Sequence, residues 1–87
     1  MNVVVLKKMR RDRLETLNTI LTISTEGIKK THIMYKANLS HQQLEKFLEI
    51  LANNGLLMKG GDSYKTTQKG LAFIEEFEKI KLACVLP

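Results

Sequence analysis

The chain has 87 residues, of which 44% are hydrophobic, 6% aromatic and 26% charged, a composition that excludes a disordered tail and leaves room for one core. Its formal net charge is +5 and its isoelectric point is near 9.5, so polyanions attract it at physiological pH. Cys84 is the one cysteine, which rules out an intrachain disulfide or a cysteine-rich zinc site and fits a reducing, cytoplasmic setting.

Charge divides unevenly along the chain. Residues 1–43 hold eight Lys/Arg against three acids, whereas 44–87 hold six of each. Residues 1–9 are expected to be an N-terminal leader and 10–87 the folded domain. Val3, Val4, Val5 and Leu6 make a run far too short to span a membrane, without the basic start and cleavage site of a signal peptide, so no membrane partner is expected. The cluster Lys7, Lys8, Arg10, Arg11 and Arg13 is open to two readings, an arm that grips a polyanion or a solvated helix end. A domain this small hides only about 60–65% of its unfolded surface, so a partner subunit is expected to add stability.

From residue 10 to 24, Leu14, Leu17, Ile20 and Leu21 recur at helical spacing while Arg10, Arg11, Arg13 and Glu15 fall on other faces, which predicts a first helix. Gly27 ends it. From Ile28 onward, Ile33, Met34 and Ala37 share one side of a second, shorter helix.

The run from Asn38 to Leu44 predicts a helix start. Ser40 is a good N-cap, Gln43 three residues later completes a capping box, and Leu39 and Leu44 occupy the two positions of a hydrophobic staple. Asn38 tolerates the left-handed backbone needed for a tight corner between the two helices. The third helix continues through Leu44, Phe47, Leu48 and Leu51 until Asn53, Asn54 and Gly55 stop it.

Two short strands, 56–59 and 63–66, flank Gly60, Gly61 and Asp62, a turn of hairpin length. Thr67 then caps a last helix that Pro87 ends. That helix carries two apolar faces. Leu71 and Ile74 point one way and are expected to meet the core, whereas Phe73, Phe77, Ile80 and Cys84 follow a coiled-coil spacing and are expected to meet a second subunit. The resulting order, α-α-α-β-β-α, is mainly helical with a small β-hairpin. It is the order of a winged helix-turn-helix, with the hairpin as wing.

The segment Lys30-Thr31-His32-Ile33-Met34-Tyr35-Lys36-Ala37-Asn38-Leu39-Ser40, followed by Leu44, Leu48 and Asn54-Gly55-Leu56-Leu57, closely resembles the archaeal winged helix-turn-helix predicted transcriptional regulators. So does Tyr64-Lys65-Thr66-Thr67-Gln68-Lys69-Gly70. The resemblance covers roughly residues 10 to 80, and that family includes small dimeric chromatin-type DNA-binding proteins. It implies double-stranded DNA as partner, a homodimer joined through the last helix, and a nucleoid-associated place in the cytoplasm. The last helix here is shorter than the long coiled coil of those relatives, and the apolar Val3 to Leu6 stretch looks additional.

In a helix-turn-helix the second of the paired helices enters the major groove and offers its N-terminal residues to base edges. Here Gln42, Lys46, Glu49 and Asn53 lie opposite the leucine stripe at about 100° per residue. Gln42 and Lys46 are the expected base readers, since Gln bonds adenine N6 and N7 together and Lys donates to guanine O6 and N7. Gln43 is a further candidate whose capping duty competes with base contact. Lys29, Lys30, Thr31, Tyr35, Ser40 and His41 are expected on phosphates around the two helix starts, and Lys59 and Lys65 on the backbone beside the wing. Glu45 and Glu49 would repel phosphates, which limits insertion to the first turn and a half.

Two histidines, nine acids and one thiol form no nucleophile–base or metal-ligand pattern, so neither catalysis nor a metal, cofactor or small-molecule substrate is expected. The absence of a Gly-x-x-x-x-Gly-Lys pattern argues against a nucleotide-cradling loop. Two rival readings share the fold: an architectural protein coating DNA with little sequence preference, and a module that binds another protein.

Overall fold

A computed structural model describes residues 3–85, and the side chains of residues 13–83. Seven elements follow in order: α1 Val3–Ile23, β1 Ile28–Lys29, α2 Lys30–Ala37, α3 His41–Asn53, β2 Leu57–Gly60, β3 Ser63–Thr66 and α4 Gln68–Val85. The α-α-α-β-β-α order expected from the sequence is present, with one short strand added between the first two helices.

Helix α1 begins at Val3, so residues 3–9 continue the helix expected from residue 10; no Gly or Pro interrupts the run. Ile20, Leu21 and Ser24 are fully buried at its C-terminal end, whereas Leu14 sits 39% exposed at the margin. The last carbonyls of a helix need partners from outside its own ladder. Here Thr66 of β3 supplies two, its hydroxyl donating to the Leu21 carbonyl and its amide to the Ser24 carbonyl at 3.0 Å. Gly27, at φ +90, turns back so that its own amide also donates to Ser24.

Ile28 does not begin the second helix. It forms β1 with Lys29, pairing antiparallel to β3 with Ile28 opposite Tyr64 and Lys29 opposite Ser63. The sheet order is β1-β3-β2. Two residues are too few to show a strand period, and it is the β3 partner that draws Ile28 into the sheet.

Helix α2 ends at Asn38, which takes φ 54 and ψ 52 as the corner requires. The Asn38 amide donates to the Tyr35 carbonyl at 3.2 Å and the Leu39 amide to Met34 at 3.1 Å, the paired bonds of a Schellman stop. Ser40 then caps α3. Its hydroxyl oxygen accepts from the Gln43 amide at 3.2 Å, and the Gln43 side-chain oxygen accepts from the Ser40 amide at 3.0 Å. Both halves of the expected capping box are therefore present. Ser40→Ala is expected to lower stability by about 1 kcal/mol through loss of that cap, measured by urea denaturation, with Ser40→Asp close to the parent; equal loss in both variants would remove the cap from the explanation.

The core gathers Ile20, Leu21, Ile33, Leu44, Leu48, Leu51, Leu57 and Tyr64. Each of the first three helices and both long strands contributes, which is why the leucine stripe of α3 is buried while its other side remains in solvent. Helix α3 ends as predicted around Asn54 and Gly55. Gly55, at φ +72, lets its own amide reach Ala52 at 3.1 Å and the Leu56 amide reach Leu51 at 2.9 Å.

In the wing, Gly60 pairs with Ser63, so the loop is Gly61 and Asp62 alone and the strand expected at 56–59 runs one residue later. Gly61 has φ +65 and Asp62 does not share the positive sign, the pattern of a type II′ hairpin turn with glycine first.

Thr67 caps α4 as expected, its hydroxyl accepting from the Gly70 amide at 3.1 Å and donating to the Gly55 carbonyl at 2.7 Å. Phe73 and Ile74 pack against the core, and Leu71 does not, being 40% exposed. The inward side of α4 is thus Gly70, Phe73, Ile74 and Phe77, because Gly70 must lie against Leu56 and Thr66 and Leu71 is turned about 100° away from it.

Candidate nucleic-acid interface

Three elements meet at Lys30, the first residue of α2. Its backbone amide donates to the carbonyl of Asp62 in the wing turn at 3.2 Å. Its ammonium is ion-paired with the carboxylate of Glu45, one turn into α3. One residue thus ties the wing, the start of α2 and the start of α3 together.

On α3, Gln42, Lys46, Glu49 and Asn53 are all exposed, opposite Leu44, Leu48 and Leu51. No hydrogen bond or ion pair to another described residue engages the side chains of Gln42 or Lys46, so their donors and acceptors are available to a partner. Gln43 is exposed too, yet its oxygen is held by the Ser40 amide. A bidentate contact to adenine needs both the oxygen and the nitrogen of the amide, so Gln43 cannot make one while it caps. Ser40 accepts with its hydroxyl oxygen and keeps its O–H as a donor.

Around the helix starts, Thr31 and Tyr35 are exposed, Tyr35 to 78%. Lys29 places no side-chain bond on the first amides of α2. His41 is exposed and its Nε2 lies 3.7 Å from the Glu45 oxygen that also holds Lys30. Lys30 and His41, both expected on phosphates, therefore share one internal carboxylate. Their 15 and 4 residues of separation from Glu45 follow from the numbering; only the second is visible as a helical i,i+4 pair.

The wing separates its two lysines. Lys59 stands opposite Tyr64, and Met58 opposite Lys65. Paired residues share a face and neighbours alternate, so Lys59 lies on the face of Leu57, Tyr64 and Thr66, while Lys65 lies on the outer face with Lys29, Ser63 and Met58. The Lys59 ammonium sits 6.0 Å from the Tyr64 ring centroid, at the outer limit of a cation–π contact. Met58 is 57% exposed.

The residues expected at a second subunit divide along α4. Phe73 and Phe77 stack, with ring centroids 6.2 Å apart, on the side that packs toward the core. Ile80 is 60% exposed, and the Cys84 side chain lies outside the described residues, as do those of Lys7, Lys8, Arg10 and Arg11. Leu82, which the sequence reading passed over, is 62% exposed.

A shallow depression of about 340 Å³ is lined by Glu15, Thr16, Thr19 and Ala37, and the Thr19 hydroxyl is turned back onto the Glu15 carbonyl at 2.8 Å. Among the described residues no group of three His, Cys, Asp or Glu is placed to hold a metal ion. No helix among them is long and apolar enough to cross a membrane.

Residues 10–83 match the winged helix-turn-helix family. The uncharacterized protein MJ0287 of Methanocaldococcus jannaschii is 34% identical over 65 residues, which are 74% of this chain and 67% of that protein. MJ0290 of the same organism is 30% identical over 76 residues, 86% of this chain. The chain spans only 36% of the length of that second relative. The four helices, the wing and the junction at Lys30 thus agree with the extent of the match, and the chain belongs to the winged helix-turn-helix family.

Proposed function

We propose that the chain binds double-stranded DNA as a homodimeric transcriptional regulator, inserting the N-terminal part of α3 into the major groove with the wing on the adjoining backbone. The observation that carries this reading is the exposed face of α3, where Gln42 and Lys46 stand without partners among the described residues beside a junction that holds the wing and α2 in register with it. Membership of a winged helix-turn-helix family and the net charge of +5 support the same partner. Thr31, Tyr35, Ser40 and Lys29 act as phosphate contacts that fix register, and Gln42 and Lys46 read bases. The dimer is made by the C-terminal half of α4, where Ile80 is exposed on the coiled-coil spacing of Phe73, Phe77, Ile80 and Cys84.

The test is a fluorescence-anisotropy titration of a mixed-sequence duplex of about 30 base pairs between about 50 and 300 mM salt. Each neutralised phosphate steepens the logarithmic slope by about 0.9, so a dimer making six or more contacts is expected to lose about a thousandfold in affinity from about 50 to 200 mM. A salt-independent or absent signal would turn the reading toward a module that binds another protein. Sedimentation at micromolar concentration checks the dimer: a monomeric mass would remove the α4 interface from the proposal.

A further inference from the structure

The pairing of Glu45 with Lys30 and the approach of His41 to the same oxygen point to a role for that carboxylate that goes beyond holding α2 against α3. We propose that Glu45 is an internal competitor for the DNA phosphate, occupying the Lys30 and His41 site in the free protein and limiting affinity for DNA of any sequence. The inference rests on the DNA-binding reading above and deepens it, naming the residue that restrains phosphate contact at that same interface.

The geometry is specific. Lys30 Nζ pairs with Glu45 Oε1, and His41 Nε2 lies 3.7 Å from the same oxygen. The Lys30 backbone is fixed by its bond to Asp62 in the wing turn, so its side chain starts from a fixed point beside α3. The pair is not buried: the Lys30 and Glu45 side chains are 31% and 48% exposed. A phosphate oxygen approaching from solvent finds Lys30 accessible but already neutralised. To bind there it must displace a carboxylate of similar geometry and charge, or leave the ammonium where it is and meet a net neutral pair. Either way Lys30 adds little to counterion release while Glu45 is present.

Glu49, Glu75 and Glu76 do not share this arrangement. Glu49 lies a turn further along α3 and has no ion pair with a described residue. Glu75 and Glu76 pair with Lys79 within α4 at 3.6 and 3.7 Å. Glu75 therefore gives a charge-matched control, since Glu75→Gln changes the net charge equally, away from α3, while Lys79 keeps its pair with Glu76.

The experiment measures duplex affinity against salt for the full chain and for Glu45→Gln, Glu75→Gln, Lys30→Ala/Glu45→Gln. Exposed pairs contribute little to stability, so all are expected to fold, which circular dichroism checks; Glu45→Ala offers the same readout should Glu45→Gln misfold. Releasing one lysine to one phosphate steepens the logarithmic slope by about 0.9 and raises affinity about eightfold per protomer at about 100 mM salt. Glu45→Gln is expected to do this and Glu75→Gln is not. Adding Lys30→Ala is expected to return the slope to that of the parent. If the gain survives without Lys30, Glu45 merely repels phosphates and the competitor role is overturned. Equal slopes for Glu45→Gln and Glu75→Gln overturn it as well while leaving DNA binding intact. Failure of the parent and Glu45→Gln alike to bind any duplex at low salt overturns the DNA-binding reading itself, and the competitor role with it.

Discussion

Gly70→Ala is expected to lower stability by about 3 kcal/mol, a drop in Tm of roughly 12–24 °C for a domain of this size. Gly70 lies in the first turn of α4 and is buried against Leu56, just before β2, and Thr66 of β3. A Cβ at that position would fall 2.3 Å from the Leu56 carbonyl oxygen and 2.5 Å from Thr66 Cγ2. Neither neighbour is free to move. The Leu56 carbonyl accepts the Thr67 amide at 3.1 Å, and Thr66 is held by its two bonds to the end of α1. The sign of the effect makes the measurement decisive, because alanine in a helix is otherwise favoured over glycine by about 1 kcal/mol. A thermal or urea denaturation showing a gain would mean that α4 stands off from the hairpin. The expected loss would show that the close approach of α4 to Leu56 and Thr66 is what seats the last helix.

What was legible in the sequence was what neighbouring residues decide among themselves. The Ser40 and Gln43 capping box, the left-handed Asn38 and the Thr67 cap each depend on a side chain and an amide within three residues, so the local pattern suffices. The leucine stripe of α3 was readable for the same reason, and with it the exposure of Gln42 and Lys46. Strand β1 was not, since two residues carry no period and Ile28 becomes a strand only by meeting Tyr64. The pairing of Lys30 with Glu45 was equally out of reach, because it spans the corner between two helices.

The wing shows how one residue of register changes a functional assignment. A three-residue loop over Gly60, Gly61 and Asp62 would put Lys59 opposite Ser63 and hence on the same face as Lys65. The observed two-residue loop puts Lys59 opposite Tyr64 and sends the two lysines to opposite faces. Lys65 then sits beside Lys29 on the outer face, and only one of the two wing lysines can approach a given backbone strand along its face of the sheet. Similarly, Leu71, Phe73, Ile74, Phe77 and Ile80 of α4 were visible as apolar positions, but which of them faces inward was set by Gly70. The close approach there turns Leu71 outward and brings Phe73 to the core side, leaving the more distal Ile80 and Leu82 exposed.

The double substitution Gln42→Ala with Lys46→Ala is expected to reduce discrimination between a preferred and a mixed duplex by about a hundredfold, roughly 3 kcal/mol from two base contacts worth about 1–3 kcal/mol each. Lys59→Ala is expected to weaken both duplexes by a similar factor, because a phosphate contact positions the protein without reading bases. The contrast follows from where these side chains stand. Gln42 and Lys46 are one turn apart on the exposed side of α3, ahead of Glu49, whose charge opposes deeper insertion, and neither is occupied by capping as Gln43 is. Lys59 belongs to the wing, off the exposed face of α3 that carries Gln42 and Lys46. Competition titrations at fixed salt separate the two effects. A parent protein with no preference to lose would make the chain a DNA-coating protein, with Gln42 and Lys46 spectators in a groove held by phosphates alone. Loss of preference in the double variant together with retained low-salt affinity would assign base reading to the first turn and a half of α3.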